Sequence, residues 1–240
     1  MQRYFIQQAI SDIVEIQDTN QVHHIRNVMR MQKGDQAVVC DQLGHCFYMK
    51  IEAISAKRVT FSKGQALKKL DRKFHVTLAQ SLIRKDHFEL ACQKATELGV
   101  DTIIPLETER TIIKLNEAVV EKKRSRWQTI AQEASEQSQR TTVSKIESLM
   151  PLKELDYCLY DVVLVAYENE KTLALKHVLK NLDKDLKLLL VIGPEGGFTE
   201  AEIAYLESQG AKTVSLGPRI LRSETAAIFI LSALSYELEM

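Results

Sequence analysis

Two glycine–proline loops hold the residues whose types and spacing could do chemistry. The first follows five apolar residues, Leu188-Leu189-Leu190-Val191-Ile192, and reads Gly193-Pro194-Glu195-Gly196-Gly197. The second follows Thr213-Val214-Ser215-Leu216 and reads Gly217-Pro218, then Arg219-Ile220-Leu221-Arg222-Ser223-Glu224-Thr225-Ala226. Each loop ends a strand-like stretch, and in α/β domains ligands bind beyond the carboxyl ends of the strands. The first loop is not a phosphate cradle. No Lys-Ser/Thr follows Gly197, the spacing is not GxGxxG, and Pro194 removes an N–H donor. A stiff backbone with few donors suits a neutral or cationic ligand held by shape and carbonyls. The plain alternative is a strand-to-helix turn in which glycine supplies positive φ.

In the second loop, Ser223 reads as an N-cap, and Glu224 as an anion favoured in a first helical turn. Arg219 and Arg222 have no such explanation, because cations are disfavoured at a helix N-terminus. Two arginines there point to an anionic or electron-rich partner such as RNA.

The elements that must position these loops alternate in type from residue 74 onward. Strands are expected at 74–83, 100–106, 161–167, 188–192 and 213–216. Helices are expected between them: one capped at Asp86 and ending at Gly99, one opened by a capping box at Ser125, one over 172–182, one capped at Thr199 and ending at Gly210, and one over 224–238. Strands separated by helices imply right-handed crossovers and a parallel sheet. Residues 1–70 differ. Short strands at 36–40, 45–54 and 57–62, with a helix at 23–31, suggest a small sheet or barrel, and 64–73 reads as a linker.

The 32 basic and 32 acidic residues cancel. Residues 1–70 carry ten Lys/Arg against six Asp/Glu, or +4, and the remainder carries −4. That asymmetry permits an anionic partner at the N-terminal part. Cys40, Cys46, Cys92 and Cys158 form no CxxC pair and are expected as free thiols, with no metal site. The absence of an apolar leader or long apolar run sets the expectation of a cytoplasmic, non-membrane protein.

The residues from Leu190 to Phe198, with those from Leu216 to Ala226, closely resemble the RsmE family of ribosomal small-subunit RNA methyltransferases. So do Arg3-Tyr4-Phe5, 24–34, Gln93 to Gly99, Thr108-Glu109-Arg110 and 126–140. The resemblance implies methylation of uridine N3 with S-adenosyl-L-methionine, in the SPOUT class. It implies a PUA-like β-barrel at 1–70 for RNA binding. It also implies an α/β domain at 74–240 with a parallel sheet, helices on both faces and a C-terminal trefoil knot. A homodimer acting on small-subunit ribosomal RNA or the assembled small subunit follows from it too.

On this reading Gly193, Glu195, Gly196, Gly197, Leu216, Gly217 and Leu221 hold the cofactor, with Ser223 and Thr225 beside them. Arg222 faces charge developing on the uracil ring, and Glu224 is a proton acceptor or an orienting group. Arg3, His24, Arg26, Arg30 and Arg140 are candidate RNA contacts. Arg140 and Gln137 are placed on the helix that carries Trp127 and Ala134. Two other readings use the same residues: methylation of a ribose 2′-hydroxyl, and a non-catalytic RNA-binding assembly factor.

Overall fold

A computed structural model of the chain describes residues 1–68, 72–113, 116–183 and 185–240. Two compact units divide it: Met1–Asp71 with Ser135–Val143, and Arg72–Ala134 with Ser144–Met240. The expected linker at 64–73 partly lies outside the described residues, at 69–71. Residues 135–143, expected within the α/β domain at 74–240, belong instead to the first unit.

In the first unit, β1 (Arg3–Phe5), β2 (Ile13–Ile16), β3 (Gln36–Cys40), β4 (Cys46–Ile54) and β5 (Val59–Ala66) form one sheet in the order β1-β3-β4-β5-β2. β1 is parallel to β3, and the other pairs are antiparallel. Ala37 and Val39, Met49 and Ile51, and Val59 and Phe61 are two residues apart on their strands. Each pair therefore faces the same way, into one buried cluster with Tyr4, Val14 and Ile16. Val22 and Ile25 close that cluster from α1 (Thr19–His23) and the π-helical turn His24–Val28 that extends it. The helix thus starts earlier than the expected 23–31, because the Asp18 carboxylate accepts from the Gln21 N–H at 2.9 Å and caps it.

The first unit departs from expectation at two more places. Strand β5 runs through Gly64 instead of ending near it: a Cβ at that position would lie 2.6 Å from the Tyr48 carbonyl oxygen, an approach only glycine allows. Cys40 and Cys46, expected as free thiols, are register partners on β3 and β4 and form a disulfide. Their connecting turn is set by buried Asp41, whose carboxylate accepts from the Leu43 and His45 N–H groups at 2.9 Å each. Burial pushes the Asp41 pKa up, and the His45 and Leu43 hydrogen bonds more than offset it. Cys92 and Cys158 are free thiols, as expected.

The second unit is built on β6 (His75–Ser81), β7 (Thr102–Glu107), β8 (Lys145–Ile146), β9 (Met150–Pro151), β10 (Val162–Ala166), β11 (Lys187–Ile192) and β12 (Lys212–Val214). All pairs are parallel, in the order β12-β10-β11-β6-β7-β8, with β9 also on β7. The apolar run of β11 is buried on both faces. Leu188, Leu190 and Ile192 pack with α2 (Lys85–Glu97), α3 (Glu117–Gln137), α4 (Leu175–Leu179) and α6 (Ser223–Glu239). Leu189 and Val191 pack on the other face with Ile203 and Leu206 of α5 (Glu200–Ser208).

Three residues expected as helix caps are not caps. Asp86 is not a cap: α2 starts at Lys85, and Arg84 holds the N-cap position. Ser125 lies inside α3, whose start is marked by Asn116 accepting from the Val119 N–H at 3.0 Å. Ser223 is the first residue of α6, after N-cap Arg222. The expected helix over 172–182 shortens to α4, because the Glu170 carboxylate takes the Thr172 and Leu173 N–H groups first. The capping box at Thr199 forms as expected, with Gly210 at φ +82° after the helix.

Candidate functional site

The chain leaves β6 toward β7 on one side and later returns to place β11 and β10 on its other side. Such a switch point opens a crevice at the strand carboxyl ends. A cavity of about 670 Å3 lies there, within the range of small-molecule sites. Its wall comes from 166–168 after β10, 192–198 after β11, and 215–224 with Ala226 after β12. Arg84 and His87 contribute from the start of α2, and Ile112 from the segment after β7.

Both glycine–proline loops therefore line one pocket. The first loop is a tight turn: the Gly197 N–H donates to the Pro194 carbonyl at 3.0 Å, and Gly197 has φ +68°. A Cβ at Gly197 would press on the movable Glu168 carboxylate, so it is the positive φ that favours glycine here. The Glu195 carboxylate accepts from the Arg84 N–H at 3.2 Å, tying the loop to the start of α2. In the second loop Gly217 has φ +116°, and nothing lies within 4 Å of where its Cβ would stand. Leu216 and Leu221 line the pocket and pack partly against the core.

Gly193, Glu195, Gly196, Gly197, Leu216, Gly217, Leu221, Arg222, Ser223 and Glu224 all line the pocket. Thr225 is exposed and does not line it. Ser223 is buried: its hydroxyl donates to the Gly193 carbonyl at 2.5 Å and accepts from Gln80 Nε2 at 2.8 Å. This bridge explains why Ser223 does not cap α6. Arg222 is exposed, and its guanidinium has no partner among the described residues. Glu224 is buried, with Oε1 3.3 Å from His87 Nδ1.

Sequence reasoning missed Arg84, His87, Ile112, Tyr167 and Glu168 as wall residues. Their signal was position: four of the five follow the carboxyl end of a strand within a few residues, where the crevice rule applies. Behind the wall, Glu170 accepts from Thr172, Thr213 and Leu173. The hydrogen bond from the Thr172 hydroxyl leads in holding its pKa down to about 2.

The candidate RNA contacts divide. In the first unit Arg26 and Arg30 are exposed, and His24 is half-buried with Nδ1 3.1 Å from the Tyr4 hydroxyl. Arg3 is buried and donates to the Arg140 carbonyl, and burial lowers its pKa. That side chain pins β1 to the 135–143 segment and is not offered to a phosphate. Arg140 lies beyond the end of α3, after Gln139 at φ +59°, and not on the helix.

Residues 70–235 match the RNA methyltransferase domain family, and residues 16–63 match the RNA methyltransferase PUA domain family. A ribosomal RNA small subunit methyltransferase E from Bacillus subtilis is 38% identical over 100% of this chain and 98% of its own length. One from Rickettsia conorii is 32% identical over 90% of this chain and 86% of its own length. The solved structure of the enzyme of that name from Neisseria gonorrhoeae, bound to S-adenosyl methionine, superposes with a TM-score of 0.84 at 26% identity. It covers 98% of this chain and 97% of that one. With its parallel sheet, its PUA-matching unit and one pocket built from both glycine–proline loops, the chain belongs to the ribosomal RNA small subunit methyltransferase E family.

Proposed function

We propose that this protein transfers a methyl group from S-adenosyl-L-methionine to N3 of a uridine in small-subunit ribosomal RNA. One observation carries the reading: the two loops that mark the family close around a single pocket whose wall is mostly backbone, apolar side chains and carboxylates. That lining fits the cofactor. Leu216 and Leu221 supply apolar surface for a purine. The backbone at 193–197 and 216–217 supplies amides and carbonyls, and Glu168 and Glu195 suit cationic groups. When bound, the cofactor supplies an electrophilic methyl group, so no metal is required.

The remaining work falls to the protein. Uridine N3–H is a weak acid, so negative charge spreads onto the uracil carbonyls as the proton leaves. Arg222, exposed in the pocket wall, is proposed to face that charge, and such pre-positioned donors are a large part of catalysis. Glu224 is buried and committed to His87, which favours an orienting role over proton acceptance. Arg26, Arg30 and His24 are proposed to position the RNA through its phosphates.

A trefoil knot and a homodimer are part of the same reading. The knot is proposed on the family match, and the Ser223 bridge to Gly193 and Gln80 brings the start of α6 against the ends of β11 and β6. The dimer is supported by Phe229 and Tyr236, exposed seven residues apart on α6 and so on one side of it. The test is incubation with labelled S-adenosyl-L-methionine and either assembled small subunits or free ribosomal RNA, followed by nucleoside mass spectrometry. N3-methyluridine is the expected product. A ribose-methylated nucleoside, or no product with either substrate, would refute the reading.

A further inference from the structure

We infer that Arg110 is the positioning residue of the cofactor loop, a role that rests on the proposed S-adenosyl-L-methionine site. Arg110 Nη1 donates to the Gly196 carbonyl at 2.8 Å and to the Phe198 carbonyl at 3.3 Å. Its stem lies along the loop as well: the Arg110 Cβ and Cδ stand 3.5 and 3.6 Å from where a Gly196 Cβ would be. One side chain thus grips two carbonyls of the turn whose other side is pocket wall.

The turn that carries Arg110 is itself fixed. Thr108 and Thr111 are buried, their hydroxyls lie 2.9 Å apart, and the Thr111 N–H donates to the Thr108 carbonyl at 3.1 Å. The Glu109 N–H donates to Glu202 Oε1 at 2.7 Å, while the Thr199 hydroxyl donates to Glu109 Oε2 at 3.0 Å. Glu202 is buried and also closes the capping box at Thr199. So the loop at 193–198 is held at its far end by α5, and in its middle by a rigid turn from after β7. Glycines at 193, 196 and 197 give this loop many unbound conformations. A ligand must pay for selecting the competent one, and its apparent affinity falls with that fraction. Arg110 raises the fraction by satisfying two carbonyls that only this geometry brings together.

The experiment compares wild type with Arg110→Ala and Arg110→Lys, using S-adenosylhomocysteine as the probe in calorimetry and following hydrogen exchange of the ligand-free proteins. The expected Kd rises about tenfold in the alanine variant and less in the lysine variant, which keeps a charged donor on a stem one atom shorter. Amides at 193–198 should exchange faster while those of β6 and β11 stay as in wild type. With methyl transfer as readout, KM for the cofactor should rise while kcat at saturation stays near wild type. A Kd within twofold of wild type overturns the inference. So does a raised Kd with unchanged exchange at 193–198, which would make Arg110 a direct ligand contact. If the alanine variant fails to fold, the lysine variant and Arg110→Gln carry the same comparison. Wild-type protein that binds no S-adenosylhomocysteine would refute the cofactor reading, and this inference with it.

Discussion

The imidazole Nδ1 of His87 lies 3.3 Å from Oε1 of Glu224, so the first turns of α2 and α6 meet at the pocket wall through a buried carboxylate. The pair commits Glu224 to orientation. Glu224→Gln, which preserves an acceptor for His87, should keep kcat for methyl transfer within about tenfold of wild type. A direct proton acceptor contributes about 10²–10⁴-fold. A loss of that size in Glu224→Gln, with unchanged S-adenosylhomocysteine affinity, would make the carboxylate the proton acceptor instead.

Arg222 has no partner to lose within the described residues, so its removal should leave the fold intact. Arg222→Ala is expected to lower kcat by about 10²–10³-fold, the usual cost of one donor to a developing anion. Wild-type turnover by this variant would remove Arg222 from the mechanism.

Gly196 and Gly197 are adjacent yet should respond differently. A Cβ at Gly196 meets Arg110 at ordinary contact distance, whereas Gly197 holds φ at +68°, which an L side chain rarely adopts. Gly197→Ala should destabilise the protein by about 1–3 kcal/mol from backbone conformation alone. Gly196→Ala should cost less than about 1 kcal/mol. Thermal denaturation of the two variants side by side checks the order.

Glu170 ties the acid stability of the second unit to its loop. Four hydrogen bonds hold its pKa near 2 in the folded protein, below the ordinary 4.5. The stability it contributes is fully present above about pH 4.5 and is lost as pH falls toward 2. Glu170→Gln should therefore flatten the pH dependence of the unfolding free energy between those values. An unchanged slope would show that the hydrogen bonds do not persist in solution.

The sheet was legible because β11 and its neighbours are apolar runs bounded by turn residues, and both loops sat where strand ends predict a crevice. Helix starts were less legible. Ser125 and Asp86 have the chemistry of caps, but α3 and α2 begin earlier, where Asn116 and the Glu195 carboxylate satisfy the free N–H groups. Those partners are set by tertiary contact as well as local spacing. Ser223 failed as a cap for the same reason, since its hydroxyl is taken by residues on two other strands' ends. The burial of Arg3 was invisible for want of any local sign that 135–143 would fold against it. The Cys40–Cys46 bond depends on strand register, which the spacing of six residues does not determine.

The hydroxyl of Ser223 joins Gln80, 143 residues earlier, to Gly193, 30 residues earlier. The ligand pocket therefore has no local folding unit of its own. Its walls come into being only when the first and last segments of the sheet domain are together. Binding and global folding then share one equilibrium, and a ligand at a hundred times its Kd should add about 2.7 kcal/mol to the unfolding free energy of the whole domain. A shift in melting temperature on adding S-adenosylhomocysteine would thus report the integrity of the entire sheet, far beyond the loops the ligand touches.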